Sequence, residues 1–216
     1  MKPKLSSEEE EVTEVVEETF FAGNWTPQHV AFYGVGTRHI PIYGPIDDNL
    51  SLAICSQIQE LSYIDPDQPI YISINTPGGS IVDGLAIYDM CKIVPNPVVG
   101  IVNGGAMSAG LLVLSGCDVR VACPNSMFFY HQPIMSEISM TNSEEAQSVN
   151  QLYELYKERC NEIIRTRAKI NKRMWKKEFE NKVSLYFNSE KAVEFGIVDF
   201  ILPYSKKPKI SVEDFQ

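Results

Sequence analysis

Two side chains in this chain have the types and spacing for acyl-transfer chemistry: Ser108 and His131. Ser108 lies in Val98–Ser115, which reads VVGIVNGGAMSAGLLVLS, and His131 follows 23 residues later in Tyr130-His131-Gln132-Pro133. The β-branched run Val98–Val102 breaks at Gly104-Gly105. Small residues then enclose one hydroxyl in Ala106-Met107-Ser108-Ala109-Gly110. This order predicts a strand, a sharp turn and a buried helix with the serine at its start. A hydroxyl placed there stands beside the backbone N–H groups of the helix start, so a nucleophile and a site for an oxyanion become neighbours.

His131 is one of three histidines, with His29 and His39. It ends a strand-like run, Ser126–Tyr130, and Pro133 biases Gln132 towards an extended backbone. Taken singly, Ser108 is more simply a small core residue and His131 a structural imidazole. A second glycine motif shifts that balance. Asn75-Thr76-Pro77-Gly78-Gly79-Ser80 joins the strand-like Ile70–Ile74 to the amphipathic run Ile81–Ile93. Glycines at a strand-to-helix turn permit positive φ and close backbone approach, and their N–H groups can bind an oxyanion or an extended peptide. Alone, such a motif is an ordinary turn.

Four segments, INTPGGS, GGAMSAG, YHQP and AVEFGIVD (Ala192–Asp199), stand in this order. Together they resemble the signatures of the Clp protease proteolytic subunit (ClpP) family, over about residues 40–202. The resemblance implies an α/β fold, a ClpP/crotonase-like spiral of βαβ units with a protruding handle helix. It implies a serine endopeptidase that needs no cofactor or metal. Ser108 matches the nucleophile, His131 the general base, and Gly79 and Ala109 the oxyanion-hole donors. It further implies assembly with itself into a heptameric or double-ring oligomer, or with another ClpP-like subunit, and an AAA+ unfoldase that feeds unfolded polypeptide.

Three departures from the family pattern stand out. Counting back from Ala192-Val193-Glu194-Phe195-Gly196, the third catalytic position, an aspartate in the family, falls on Ser184. A shifted register offers Asn181 or Glu180 instead. The basic residue that precedes the aspartate in the family is Val183. An orienting carboxylate fixes the histidine tautomer and stabilises the imidazolium, so its loss predicts weakened catalysis or a non-catalytic ring subunit. Second, the glycine-rich segment after the histidine is replaced by Ile134-Met135-Ser136-Glu137-Ile138-Ser139-Met140. Third, residues 1–18 carry seven glutamates against Lys2 and Lys4. Such a run reads as a solvated arm or a frayed helix.

Composition sets the remaining bounds. A chain of 216 residues, 44% hydrophobic, predicts one compact domain with a sizeable core. The expected division is an acidic arm over 1–30, a peptidase domain over 31–204 and a tail over 205–216. Five cysteines without a CxxC pair fit reduced thiols in a cytoplasmic compartment better than disulfides or zinc. A net charge of −9 gives no support for nucleic-acid binding. Ile93–Cys117 carries no charged residue, but Pro95, Pro97, Asn96 and repeated glycines argue against a membrane span. A crotonase-type acyl-CoA enzyme also uses glycine-turn oxyanion sites. It needs no serine–histidine pair, so the co-occurrence of Ser108 and His131 disfavours it.

The elements that must position the pair alternate along the chain. Strands are predicted near Ile40–Tyr43, Ile70–Asn75, Val98–Val102, Asp118–Ala122, Ser126–Tyr130 and Ile197–Leu202. Helices are predicted near Asp48–Tyr63, Gly79–Ile93 and Met107–Ser115. This alternation implies largely parallel strand pairing. Asn142–Ile170 reads as one long helix with Leu152, Leu155, Tyr156, Arg159 and Ile163 on one face, opened by Asn142 with Glu145 three residues on. By the resemblance it is the handle.

Overall fold

The computed structural model describes residues 38–134, 143–182 and 184–204. The acidic arm, the tail, Asn142, Val183 and most of Ile134–Met140 lie outside these residues. Within them the element order is β1 (His39–Tyr43), α1 (Asp48–Ile64), β2 (Ile70–Thr76), α2 (Ile81–Ile93), β3 (Val98–Met107), α3 (Ala109–Gly116), β4 (Val119–Ala122) and β5 (Met127–His131). Then follow α4 (Ser143–Arg167), α5 (Lys172–Trp175), a π-helical turn (Lys176–Glu180), β6 (Ser184–Asn188), α6 (Ser189–Glu194) and β7 (Phe200–Ile201).

The strands run β1-β2-β3-β4-β7, all parallel, as repeated strand–helix–strand units require. Strand β3 forks. Its first half, from Val99 to Val102, pairs β4, and its last three residues, Gly105–Met107, pair β5. The fork lies at Asn103–Gly104, where the side chain of Asn75 fills the gap. Asn75 Oδ1 accepts from Gly105 N at 3.1 Å, and a Cβ on Gly104 would fall 2.4 Å from the same oxygen. Strand β5 then pairs antiparallel with β6, the one antiparallel pair among the described residues.

Local chemistry sets the helix starts. Asp47 caps α1 by accepting from Leu50 N at 2.8 Å. Ser80 caps α2, and Asp83 in its first turn accepts from Ser51 Oγ at 2.7 Å, tying α2 to α1. The two hydroxyls that bond the Asp83 carboxylate hold its pKa below the ordinary range. All eight residues of α3 are buried, as its uniformly apolar and small composition requires. In α4 no residue before Cys160 is buried, whereas Cys160, Ile163 and Ile164 are. The helix therefore packs by its C-terminal end and projects by its N-terminal half, leaving Leu152 and Leu155 exposed.

Several predicted boundaries move. The helix predicted from Gly79 starts at Ile81, because Gly79 bridges to Ile46 as extended backbone and Ser80 is the cap. The helix predicted from Met107 starts at Ala109, because β3 continues through Met107 on its new partner β5. The long helix ends at Arg167 rather than Ile170, and the last strand shrinks to Phe200–Ile201. Strand β6 and the turns before it had no sequence signal strong enough to place them. They are held by an aromatic cluster in which Phe179 stacks on Trp175 at 4.4 Å and meets Tyr130, Phe187 and Phe195 edge-on.

One polar tie closes the C-terminal segment onto the sheet. Arg120, on β4, donates to both carboxylate oxygens of Asp199 (2.7 and 3.2 Å) and to the carbonyls of Gly196 (3.0 Å) and Arg167 (3.3 Å). Asp199 also accepts from the Arg120 backbone at 2.8 Å. Arg120→Ala leaves this carboxylate without its bidentate partner, and chemical denaturation is expected to show a loss of about 3–5 kcal/mol.

Candidate active site

The site starts from one strained residue. Ser108 has φ 52° and ψ −120°, and it is the single non-glycine residue with positive φ among the described residues. Such backbone costs about 1–3 kcal/mol and persists where the surroundings over-determine it. Here the chain arrives on β3, whose partner β5 takes the Ser108 N–H on the Phe129 carbonyl at 2.7 Å. It then turns at once into the buried helix α3, whose Leu111 N–H bonds the Ser108 carbonyl at 2.9 Å. The hydroxyl does not cap the helix. It lies 2.7 Å from Nε2 of His131.

The pairing of β3 with β5 accounts for that contact. Met107 is in register with Phe129, so His131, two residues on and on the same strand face as Phe129, reaches back over the turn. The ring is stacked on Phe129 (5.0 Å between centroids), which stacks on Tyr186 of β6 (4.1 Å). Nδ1 lies 2.6 Å from the carbonyl oxygen of Gln132. A carbonyl only accepts, so Nδ1 carries the proton and Nε2 presents its lone pair to the serine hydroxyl. That is the tautomer in which the imidazole can take a proton from Ser108.

The two glycines come within contact distance of the turn. A Cβ on Gly78 would lie 2.6 Å from both the Ser108 Cβ and the Met107 carbonyl. Gly79 (φ 150°) pairs with Ile46. Ile46 N donates to the Gly78 carbonyl at 2.8 Å, and Ser80 N donates to the Ile46 carbonyl at 2.9 Å. In that parallel bridge the N–H of Gly79 itself points away from Ile46. Gly79, Ser108, Ala109 and His131 line a single pocket. Ala109 N–H belongs to the first turn of α3, where no intrahelical acceptor exists. Gly79 and Ala109 thus both sit in the lining of the pocket that holds Ser108. The pocket continues over Ile81, Leu112, Ile134 and Ile164, an apolar wall.

Ser184 is the Cα partner of His131 across the β5–β6 ladder, so their side chains share a face. It is exposed, and the Nδ1 hydrogen bond goes to Gln132 rather than to it. Glu180 and Asn181 lie in the turn before β6, bordering a different groove with Gln132 and Asn161. No group of three or more potential metal ligands occurs among the described residues. A second serine–histidine contact, His39 Nε2 with Ser73 Oγ, sits on β1 and β2. Burial lowers the His39 pKa there. Ser73 lies mid-strand between two ladders that consume its backbone donor, so that pair has no oxyanion site. Tyr130, given no role although it opens the YHQP segment, and Asn161, which no motif contains, also line the pocket.

A serine hydroxyl bonded to an imidazole at a strained strand-to-helix turn is an arrangement that can carry acyl-transfer chemistry. The comparison with known families is narrower. The model of the Clp protease family matches residues 30–205, and the chain belongs to that family. Its mixed α/β architecture with a parallel sheet is the one the resemblance implied, and a ClpP-like peptidase is supported.

Proposed function

We propose that this chain is a serine endopeptidase subunit of the Clp type. Ser108 attacks a peptide carbonyl while His131 Nε2 takes its proton. The N–H groups of Gly79 and Ala109 stabilise the oxyanion, and the imidazolium then protonates the leaving amine. Water, activated by the same imidazole, clears the acyl-enzyme. The observation that carries the reading is the 2.7 Å contact from His131 Nε2 to Ser108 Oγ at the one strained non-glycine turn among the described residues. The apolar wall beside Ser108 suits a substrate with an apolar side chain next to the scissile bond.

Family membership supports closed rings, fed with unfolded chains by an AAA+ unfoldase. The projecting half of α4, with Leu152 and Leu155 exposed, supports the same assembly. Five free thiols fit a reducing compartment such as the cytoplasm, and no helix among the described residues is long and apolar enough to cross a membrane. The absent carboxylate at position 184 favours slow turnover, or a ring in which another subunit does most of the work.

A fluorophosphonate probe followed by mass-spectrometric mapping tests the reading. The expected result is a single phosphonylated serine, Ser108. Labelling at another serine, or none in assembled particles, would overturn it.

A further inference from the structure

Behind His131 three polar side chains close a ring of hydrogen bonds. Tyr130 Oη donates to Asn161 Oδ1, Asn161 Nδ2 donates to Gln132 Oε1 at 3.3 Å, and Gln132 Nε2 donates to Tyr130 Oη at 2.8 Å. We propose that Tyr130, Gln132 and Asn161 are positioning residues that hold the Gln132 carbonyl against Nδ1 of His131, where a triad enzyme has its carboxylate. The inference rests on the peptidase reading above and deepens it.

Each member of the ring both gives and accepts, so the Gln132 side chain is held at its amide nitrogen and at its oxygen. Its backbone is held in turn by Pro133 on one side and by β5 on the other. The carbonyl between these anchors is the one 2.6 Å from Nδ1. The ring is itself anchored. Tyr130 is 2% exposed and packs edge-on against Phe179 (5.0 Å) and Trp175 (5.9 Å). Burial pushes its phenol pKa well up, so it remains a donor. Asn161 comes from the packed end of α4, beside the buried Cys160, Ile163 and Ile164. A neutral carbonyl fixes the tautomer as a carboxylate does, without the charge that stabilises the imidazolium. Its accuracy of placement therefore matters more.

The test compares full-length wild type, Tyr130→Phe, Asn161→Ala and the double variant on one fluorogenic peptide. Each is made with and without Ser184→Asp, and melting and assembly are checked in parallel. Tyr130→Phe is expected to lower kcat about tenfold or more, with KM within roughly twofold, since small misplacements of a catalytic group cost that much. Asn161→Ala should do the same, and the double variant should be no worse than either single one, as for residues acting as a unit. In the Ser184→Asp background the loss should shrink below about twofold, because a carboxylate then orients the ring.

Equal losses in both backgrounds would mean a merely structural role and overturn the proposal. A change confined to KM would overturn it too, in favour of substrate contact, since Tyr130 and Asn161 line the pocket. Full turnover in both single variants, with Ser108 still labelled, would sink this inference and leave the peptidase reading standing. No labelling and no turnover in wild type would sink the peptidase reading and this inference with it. Should Tyr130→Phe fail to fold, the Asn161→Ala pair of backgrounds decides.

Discussion

Ser108→Ala is expected to abolish probe labelling and to lower peptide turnover by on the order of 10³-fold or more. Where a complete triad operates, loss of the serine costs about 10⁶-fold, and loss of the aspartate alone costs about 10⁴-fold. An enzyme that already lacks the carboxylate has less to lose. Yet most of the aspartate's measured effect comes from forcing the wrong tautomer, and here the Gln132 carbonyl keeps the right one. The drop therefore falls between about 10²-fold, the serine's share once the aspartate's whole share is removed, and about 10⁶-fold. What survives reports the oxyanion donors and substrate binding alone. Because Ser108 makes no helix-cap bond, the substitution removes little besides the nucleophile, and the particles should assemble normally. Turnover of Ser108→Ala within tenfold of wild type would place the chemistry elsewhere.

Ser184→Asp is expected to raise turnover by about 10- to 100-fold, part of the roughly 10⁴-fold that a triad carboxylate is worth. Ser184 and His131 are paired residues in an antiparallel ladder, which puts their Cβ atoms about 4.5–5.5 Å apart on one face. A carboxylate there can reach Nδ1 in competition with the Gln132 carbonyl. It adds the negative charge that the developing imidazolium lacks. Ser184 is exposed, so the new charge is not buried unpaired. The measurement is kcat for both proteins on the same peptide, with ring assembly checked. An unchanged rate would mean that the carbonyl already supplies all the orientation His131 needs, and that charge at position 184 is irrelevant.

The parts of this molecule that could be read from the sequence are those whose cause is local. Val98–Val102, the glycines at 104–105 and the small residues around Ser108 announce a strand, a break and a buried helix, because each responds to its own neighbours in the chain. The contact of Ser108 with His131 became legible through two glycine motifs taken together. What could not be read depends on where distant segments dock. Strand β6 is five residues, Ser184–Asn188, with an irregular burial pattern, and it exists because β5 offers an antiparallel edge. The Asn103–Gly105 stretch reads as an ending, so sequence alone predicts β3 only to Val102, whereas the strand runs to Met107. The side chain of Asn75, nearly thirty residues away, is what turns it into a fork. Tyr130 and Asn161 meet only because α4 packs by its final turns. Nothing in the spacing of 31 residues between them signals it.

The fork in β3 has a mechanical consequence. Ser108 grows from the trunk of the sheet and begins a helix with no exposed residue. His131 rides on a branch, the β5–β6 pair, that joins β3 through three residue pairs, Gly105 to Met107. The two side chains therefore meet across the β3–β5 seam, where Ser108 N–H also bonds the Phe129 carbonyl at 2.7 Å. A substitution that shifts the register of β3 against β5 is therefore expected to part Ser108 from His131, even where neither residue is changed.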